Sequence, residues 1–458
     1  MKSVTKNEYL ILALIFILGF NFYLYILTRH ALIYGIDGPY YLLQVEGLLE
    51  TGRLKYGDPP LAFFIFAFFT LIFSGDITLG IRVGLALFSA LSVFPIYFWV
   101  KKASNSQFCG MIAMFVCIFA APHVRMMNDL LKNAVGIFFL LCFIYYLHLM
   151  AVENKNDKRN LLCATLFLLL TGITHILDFG VALLFLITYG FTAVLLLENW
   201  RKFVKHACIL LVIVSLFAAG ALIVFPSLFT DFFKGLGFLR DLFSEAAGEA
   251  SPLLFLFNPV SGSFILPVLL VGAILSFHEW RNRNKIETLT IVAVTIVGTL
   301  LSFPLIPAEW LWRFLLMEFI PMAFILGYIF SKIEKGMTLL IVLFLCVFPL
   351  VLQGIVISGS MRPTIGEEDY HQLEIIDTYV PPNSTIIVDF RYGYWVEYVT
   401  GADIAKKPSP ELWREYNHVF MLTDKLSPRF QKPPQGSVKI VETLRFTLYE
   451  LLGPPLKS

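Results

Sequence analysis

A chain of 458 residues with 58% hydrophobic, 15% charged and 16% aromatic residues departs from water-soluble domains, in which charge approaches about a quarter. A net charge of +2 excludes the strongly basic balance that nucleic acid demands, so no nucleic-acid partner is expected. Cys109, Cys117, Cys142, Cys163, Cys208 and Cys346 all fall in apolar runs, where they read as small hydrophobes rather than as disulfides or thiolate metal ligands.

The first apolar run, 9–28, is too long for a signal-peptide core and no small-residue cleavage site follows it, so it is expected to stay as the first membrane helix. Runs of roughly 20 apolar residues can cross a bilayer. About eleven are expected to do so: 9–28, 77–100, 108–122, 133–151, 161–175, 178–197, 207–225, 259–277, 286–303, 310–330 and 337–357. The run 61–73 is about a dozen residues, a length that suits a re-entrant or interfacial segment, and it belongs to a large first loop, 30–76.

Charge alternates between the spans. Lys2 and Lys6, Lys101 and Lys102, and the basic clusters 155–159, 201–205, 281–285 and 332–335 mark one side, expected to be cytosolic by the positive-inside rule. Asp37, Glu46, Asp58, Asp129, Asp178, Asp231, Asp241, Glu245, Glu249 and Glu309 fall on the other. The expectation is a multi-pass cell-membrane protein with a cytosolic N-terminus and an extracytoplasmic C-terminal domain.

Within the first loop, Tyr41, Leu42, Val45, Leu48 and Leu49 share one helical face, with Gln44, Glu46 and Glu50 on the rest, as in a helix lying at the membrane surface. The transmembrane region is expected to occupy 1–358 and a small soluble α/β domain 359–458, where charges and prolines rise. There, 367–379 has helical periodicity, 385–389, 418–423 and 439–449 read as strands, and 381–383 as a turn. The fold class is mainly α, with that domain appended.

A carboxylate at the membrane border is costly unless a cation, a proton or a partner meets it, so the loop acids are the first candidates. Asp37, in Tyr34-Gly35-Ile36-Asp37-Gly38-Pro39-Tyr40-Tyr41, is either a ligand facing a cavity or the N-cap of the helix that Pro39 opens. Asp129, in Arg125-Met126-Met127-Asn128-Asp129, is expected at a helix start, as a cap or a partner of Arg125 before it is a ligand. Glu245 and Glu249, taken alone, read as solvated loop charges. Arg313, in Trp310-Leu311-Trp312-Arg313, either snorkels to headgroups or presents its planar fork to a lipid phosphate. His175 and Asp178 flank a short turn and read as a structural hydrogen-bonded pair. Acids from three loops together suggest one divalent-cation site, Mg²⁺ or Mn²⁺, acting as a Lewis acid on a phosphate leaving group.

The Asp before paired tyrosines, the surface helix, Asp58-Pro59-Pro60 and the following apolar run resemble the first external loop of GT-C membrane glycosyltransferases, which use polyprenyl-phosphate or polyprenyl-diphosphate sugars. The likeness is strongest to the catalytic subunit of archaeal and eukaryotic oligosaccharyltransferase. Gly248-Glu249-Ala250-Ser251-Pro252 is similar to that family's loop motif, and Phe390-Arg391-Tyr392-Gly393-Tyr394-Trp395 resembles its WWDYG motif. The resemblance implies Asp37 and Glu249 as catalytic and cation-binding residues, and Asp129 as a further ligand. It implies Arg313 at the donor phosphate, and Arg391, Tyr392 and Trp395 at a protein or lipid-borne acceptor. Where the family reads Trp-Trp-Asp-Tyr-Gly, this chain reads Asp389-Phe390-Arg391-Tyr392-Gly393. Arginine has donors only, so the change puts positive charge where the family has an acceptor, which favours an anionic or lipid-borne glycan acceptor over a neutral sequon peptide.

A single-sugar transferase of the protein-mannosyltransferase or aminoarabinose-transferase type would share this architecture. A transporter would instead place ionisable residues near mid-bilayer, whereas the acids here gather in loops and at span ends.

Overall fold

The computed structural model describes residues 6–153, 157–226, 237, 257–258, 263–303, 306, 308–333, 336–426 and 433–454. The helices of the first half are α1 (Lys6–Thr28), α2 (Gly38–Thr51), α3 (Leu61–Ile72), α4 (Ile77–Leu91), α5 (Val93–Ser104), α6 (Gln107–Phe119), α7 (Ala121–Asp129) and α8 (Leu131–Val152). They continue with α9 (Asp157–Thr174), α10 (Ile176–Leu196) and α11 (Trp200–Val224). A two-stranded ribbon, β1 (Phe257–Asn258) and β2 (Ser263–Phe264), precedes α12 (Ile265–Arg281), α13 (Lys285–Leu301), α14 (Ala308–Met317), α15 (Phe319–Ile329) and α16 (Met337–Ser360).

Among the described residues the expected spans fall on helix, except that 259–277 begins outside them, crosses β2 and becomes helical only at Ile265. Eight of them, Ile77–Ser104, Gln107–Asp129 and Trp310–Ile329 each counted as one broken helix, are long and apolar enough to cross a membrane. The other three, α9, α12 and α13, have 18, 17 and 17 residues, roughly 26 Å at the helical rise, close to the hydrocarbon thickness of about 30 Å. Helix α3, with 12 residues, is too short to cross. Local chemistry fixes the ends: Asp76 accepts from Leu79 N at 2.8 Å to start α4, Ser106 accepts from Cys109 N to start α6, and Gly52 at φ +72° closes α2.

Apolar side chains on α11 and α16, such as Leu216, Ile223, Phe344 and Val356, are exposed, as expected where lipid is the solvent. The interior is built by α4 to α8 and α15, whose large side chains Trp99, Phe143 and Phe324 are fully buried. Close approach replaces the hydrophobic effect as the packing device inside the membrane. Gly354 of α16 lies against the carbonyl of Phe119, and Gly80 of α4 against Thr70 of α3, with no room for a β-carbon at either. On the Lys/Arg-rich side two buried carboxylates gather helix ends. Glu8 is met by Lys101, Tyr97 and Gln107, and Glu279 by Lys332, by Asn284 at 2.5 Å and by Tyr328 at 3.2 Å.

The C-terminal domain comprises α17 (Glu367–Asp377), β3 (Ser384–Ile387), α18 (Phe390–Thr400), β4 (Asp403–Ala405), α19 (Leu412–Glu415), β5 (His418–Asp424), β6 (Val438–Glu442) and β7 (Phe446–Glu450). Its mixed sheet has the order β4-β3-β5-β7-β6, with β3 parallel to both β4 and β5, and β7 antiparallel to β5 and β6. The single strand expected over 439–449 is two strands: Thr443 N bonds Phe446 O at 2.8 Å, and the chain reverses between them.

Because Gly354 touches backbone rather than a movable side chain, Gly354→Val should push α16 off α6 and lower stability by about 1–3 kcal/mol, the usual cost of overpacking. A thermal unfolding midpoint of the detergent-purified variant equal to that of the unaltered protein would show that this contact is not close-packed.

Candidate functional site

The chain leaves α1 through a loop that is held at almost every residue. Arg82 of α4 donates to the carbonyls of His30 and Ala31 at 2.7 Å and of Leu32 at 3.1 Å, and Tyr34 OH donates to Ile26 O at 2.6 Å. Arg29 reaches the carbonyl of Ser358. Gly35 has φ +74° and packs on the carbonyl of Asn128, so an alanine there would be both strained and in collision. Its own carbonyl accepts from Thr364 Oγ1 at 2.6 Å, and it bridges Pro363. Gly35, two residues before Asp37, thus ties this loop to Asn128 and to residues 363–364.

Asp37 is the N-cap residue of α2, with Pro39 in the first turn as expected, but its side chain makes no capping hydrogen bond. Asp129 ends helix α7 rather than starting a helix, and its carboxylate is engaged by Arg125 Nε at 3.0 Å and Asn128 Nδ2 at 2.5 Å. The Arg125 partnership is the one that holds. Glu245 and Glu249 lie outside the described residues. Arg313 stands on α14, which packs against α7, with its guanidinium carbon 5.3 and 5.5 Å from the ring centroids of Trp310 and Trp312. Its Nε is buried without a hydrogen-bond partner among the described residues. His175 caps α10 by accepting from Leu177 N, while Asp178 takes its hydrogen bond from Asn133 rather than from His175.

A buried polar network that sequence patterning missed surrounds this loop. Asp58 forms an ion pair with Lys132 at the start of α8 and accepts from Tyr40 OH at 2.5 Å. Gln44, expected on the polar face of α2, is fully buried and bonds Tyr40 OH at 2.9 Å and the backbone of Tyr56 at 2.8 and 3.0 Å. Tyr56 OH donates to Glu397 of α18, which also pairs with Lys55 at 2.6 Å. Burial, reinforced by Asp58 beside Tyr40 and by Glu397 beside Tyr56, pushes both phenols well above their usual range, so both remain donors. The available signal was Lys132 itself, a cation at the start of an apolar span on the side where the acids gather.

The residues expected at the acceptor divide sharply. Tyr392 and Trp395, expected at the acceptor, are 5% and 1% exposed. Tyr392 OH takes a hydrogen bond from Arg445 at 2.6 Å, and Trp395 packs edge-on to Tyr370 at 5.7 Å between ring centres. Both are core of the small domain. Arg391 is partly exposed and clasps Asp389 through Nε at 3.2 Å and Nη2 at 2.9 Å, holding that carboxyl below its ordinary range. The positive charge expected at the acceptor is therefore offset by its own neighbour. Phe390 beside them is exposed, and Tyr394 packs at a tilt against Tyr40 with ring centres 5.2 Å apart, which joins α18 to the first loop.

Among the described residues no three of His, Cys, Asp and Glu converge as a cation cage. Both oxygens of Asp129 accept hydrogen bonds, from Arg125 and Asn128. An apolar cleft between α9, α10 and α11, lined by Leu169, Ile173, Phe179 and Phe217, runs up to Pro59, next to the Asp58–Lys132 pair.

No protein-family model matches the sequence, and no curated protein matches it. Solved structures do. The archaeal oligosaccharyltransferase AglB from Archaeoglobus fulgidus, in complex with an inhibitory peptide and a dolichol-phosphate, superposes with a TM-score of 0.64 at 11% identity, over 91% of this chain and 70% of that one. ArnT from Cupriavidus metallidurans, bound to undecaprenyl phosphate, gives 0.60 at 12% identity over 99% and 100%. The arabinofuranosyltransferase AftD from mycobacteria gives 0.57 at 11% identity over 98% of this chain and 40% of that one. Three transferases that differ in length share one arrangement of helices with this chain, which has the fold of the GT-C membrane glycosyltransferases.

Proposed function

We propose that the chain is a membrane glycosyltransferase that moves a sugar or glycan from a polyprenyl-phosphate or polyprenyl-diphosphate donor to an acceptor outside the cytosol. The observation that carries this is the placement of Asp37. It is the N-cap residue of α2 with no side-chain capping bond, two residues after Gly35, which packs on the carbonyl of Asn128 and accepts from Thr364. In that position a carboxylate can accept a proton from an attacking hydroxyl or help hold a cation at the leaving phosphate. Mg²⁺ or Mn²⁺ bound by Asp37 and Glu249 would supply charge neutralisation. Arg313, its guanidinium against two indole rings, is proposed at the donor phosphate. The apolar cleft ending at Pro59 suits a polyprenyl tail. Arg391 and exposed Phe390 are the proposed acceptor contacts, with Tyr392 and Trp395 supporting them from beneath.

A second reading, a transferase of a single sugar to a lipid-borne acceptor, is favoured by the interior placement of Tyr392 and Trp395 and by the closed Arg391–Asp389 pair.

Asp37→Asn and Glu249→Gln keep shape and remove charge. Each should lower turnover of a polyprenyl-linked sugar by about 100-fold or more while leaving expression and folding intact. Near-normal activity in both variants would remove these residues from the chemistry.

The proposed orientation is testable on the same protein. With native cysteines replaced, Glu374→Cys in the small domain should react with an impermeant thiol reagent on intact cells, and Arg281→Cys at the basic end of α12 should not; both positions are exposed. Inverted labelling would place the site on the cytosolic side and end the reading.

A further inference from the structure

The two tyrosines that follow Asp37 are each gripped by one member of the buried Asp58–Lys132 pair. Tyr40 OH donates to the same Asp58 oxygen that pairs with Lys132, and Lys132 N donates to Tyr41 OH at 3.3 Å. Tyr41 N in turn bonds the carbonyl of Asp37 at 3.3 Å. Lys132 Nζ lies 5.7 Å from the ring centre of Phe63, and its neighbour Asn133 bonds buried Asp178. Gly136, one turn along α8, is where the Asp178 carboxylate rests, so the beginning of α8 is fixed from the far side as well. Lys132 and Asp58 are both nearly inaccessible to solvent, and neither carries out a step assigned above.

We infer that Asp58 and Lys132 are positioning residues for Asp37: their ion pair holds Tyr40 directly and seats the start of α8, whose Lys132 main-chain N–H holds Tyr41, and so fixes where that carboxylate stands relative to the reacting atoms. The inference rests on the role of Asp37 proposed above. An ion pair suits the task because it is directional once removed from water, and because loss of either partner leaves an uncompensated buried charge. A misplacement of about 1 Å at a reacting group costs on the order of 100-fold in rate.

The test compares the unaltered full-length protein in nanodiscs with Lys132→Met, Lys132→Arg and Asp58→Asn. A polyprenyl-phosphate sugar serves as the probe substrate, and amide hydrogen exchange over 34–45 is measured in parallel. Lys132→Met and Asp58→Asn should each lower kcat by about 100-fold with the donor KM changed by less than about threefold. Exchange over 34–45 should rise in both, and Lys132→Arg should recover most of kcat. If Lys132→Met does not fold, Asp58→Asn and Lys132→Arg carry the comparison. Native kcat in Asp58→Asn, a loss confined to KM, or unchanged exchange would overturn the inference. An unaltered protein that transfers no sugar from any donor would instead count against the proposed function, and the exchange data would still decide whether the pair orders the loop.

Discussion

A charge at the border of a membrane has to be answered by another charge, and the ion pair between Asp58 and Lys132 is the answer on which this site depends. It joins the first loop to the start of α8 in surroundings too dry for water to substitute for either partner. Once that distance is fixed, the rest follows with little freedom. Tyr40 and Tyr41 are held by the pair, Gln44 is drawn inward to serve Tyr40 and the Tyr56 backbone, and α2 is held along its buried side between α3, α4 and α18. The same loop is tied at its other end by Arg82, Arg29 and Thr364.

The attachment of the small domain obeys the same rule. Glu397 is completely buried at the end of α18 and is met by Lys55 and Tyr56, both from the first loop. Aromatic contact between Tyr394 and Tyr40 lies on the same seam. The domain is therefore seated by polar contacts that leave a carboxylate without compensation if the seam opens. Rigid seating matters for a transferase, because an acceptor held by one domain must meet a donor held by the other.

What could be read from the sequence was whatever depends on neighbours along the chain. Apolar runs located the eight helices long enough to cross a membrane, the short run 61–73 marked α3 as a 12-residue helix, and Gly35-Ile36-Asp37-Gly38-Pro39 marked the loop that turns out to be clamped. Failures occurred where the decisive partner is distant. Lys132 and Asp58 are 74 residues apart, and Tyr56 and Glu397 are 341 apart, so no periodicity could pair them. Gln44 was assigned to the wrong face because its amide is satisfied by backbone twelve residues away rather than by water. The hairpin at Thr443–Phe446 was missed because its turn, Leu444-Arg445, has neither glycine nor proline.

The motif around Arg391 shows how chemistry and packing can share a pattern. Alternating aromatic residues at the start of a helix read equally well as a binding platform or as a helix stacked on a sheet, and burial decides between them position by position. Tyr392 and Trp395 point into the small domain, where Arg445 ties Tyr392 to Asp424 and Asp369. Phe390 and Arg391, on the opposite side of the first turn, stay accessible. Asp389 binds Arg391 through both Nε and Nη2, so two of the residues at which this segment departs from the motif it resembles offset one another's charge. A neutral, paired surface recognises by shape and apolar contact more than by net charge, and that directs attention from the arginine to the exposed ring of Phe390 beside it.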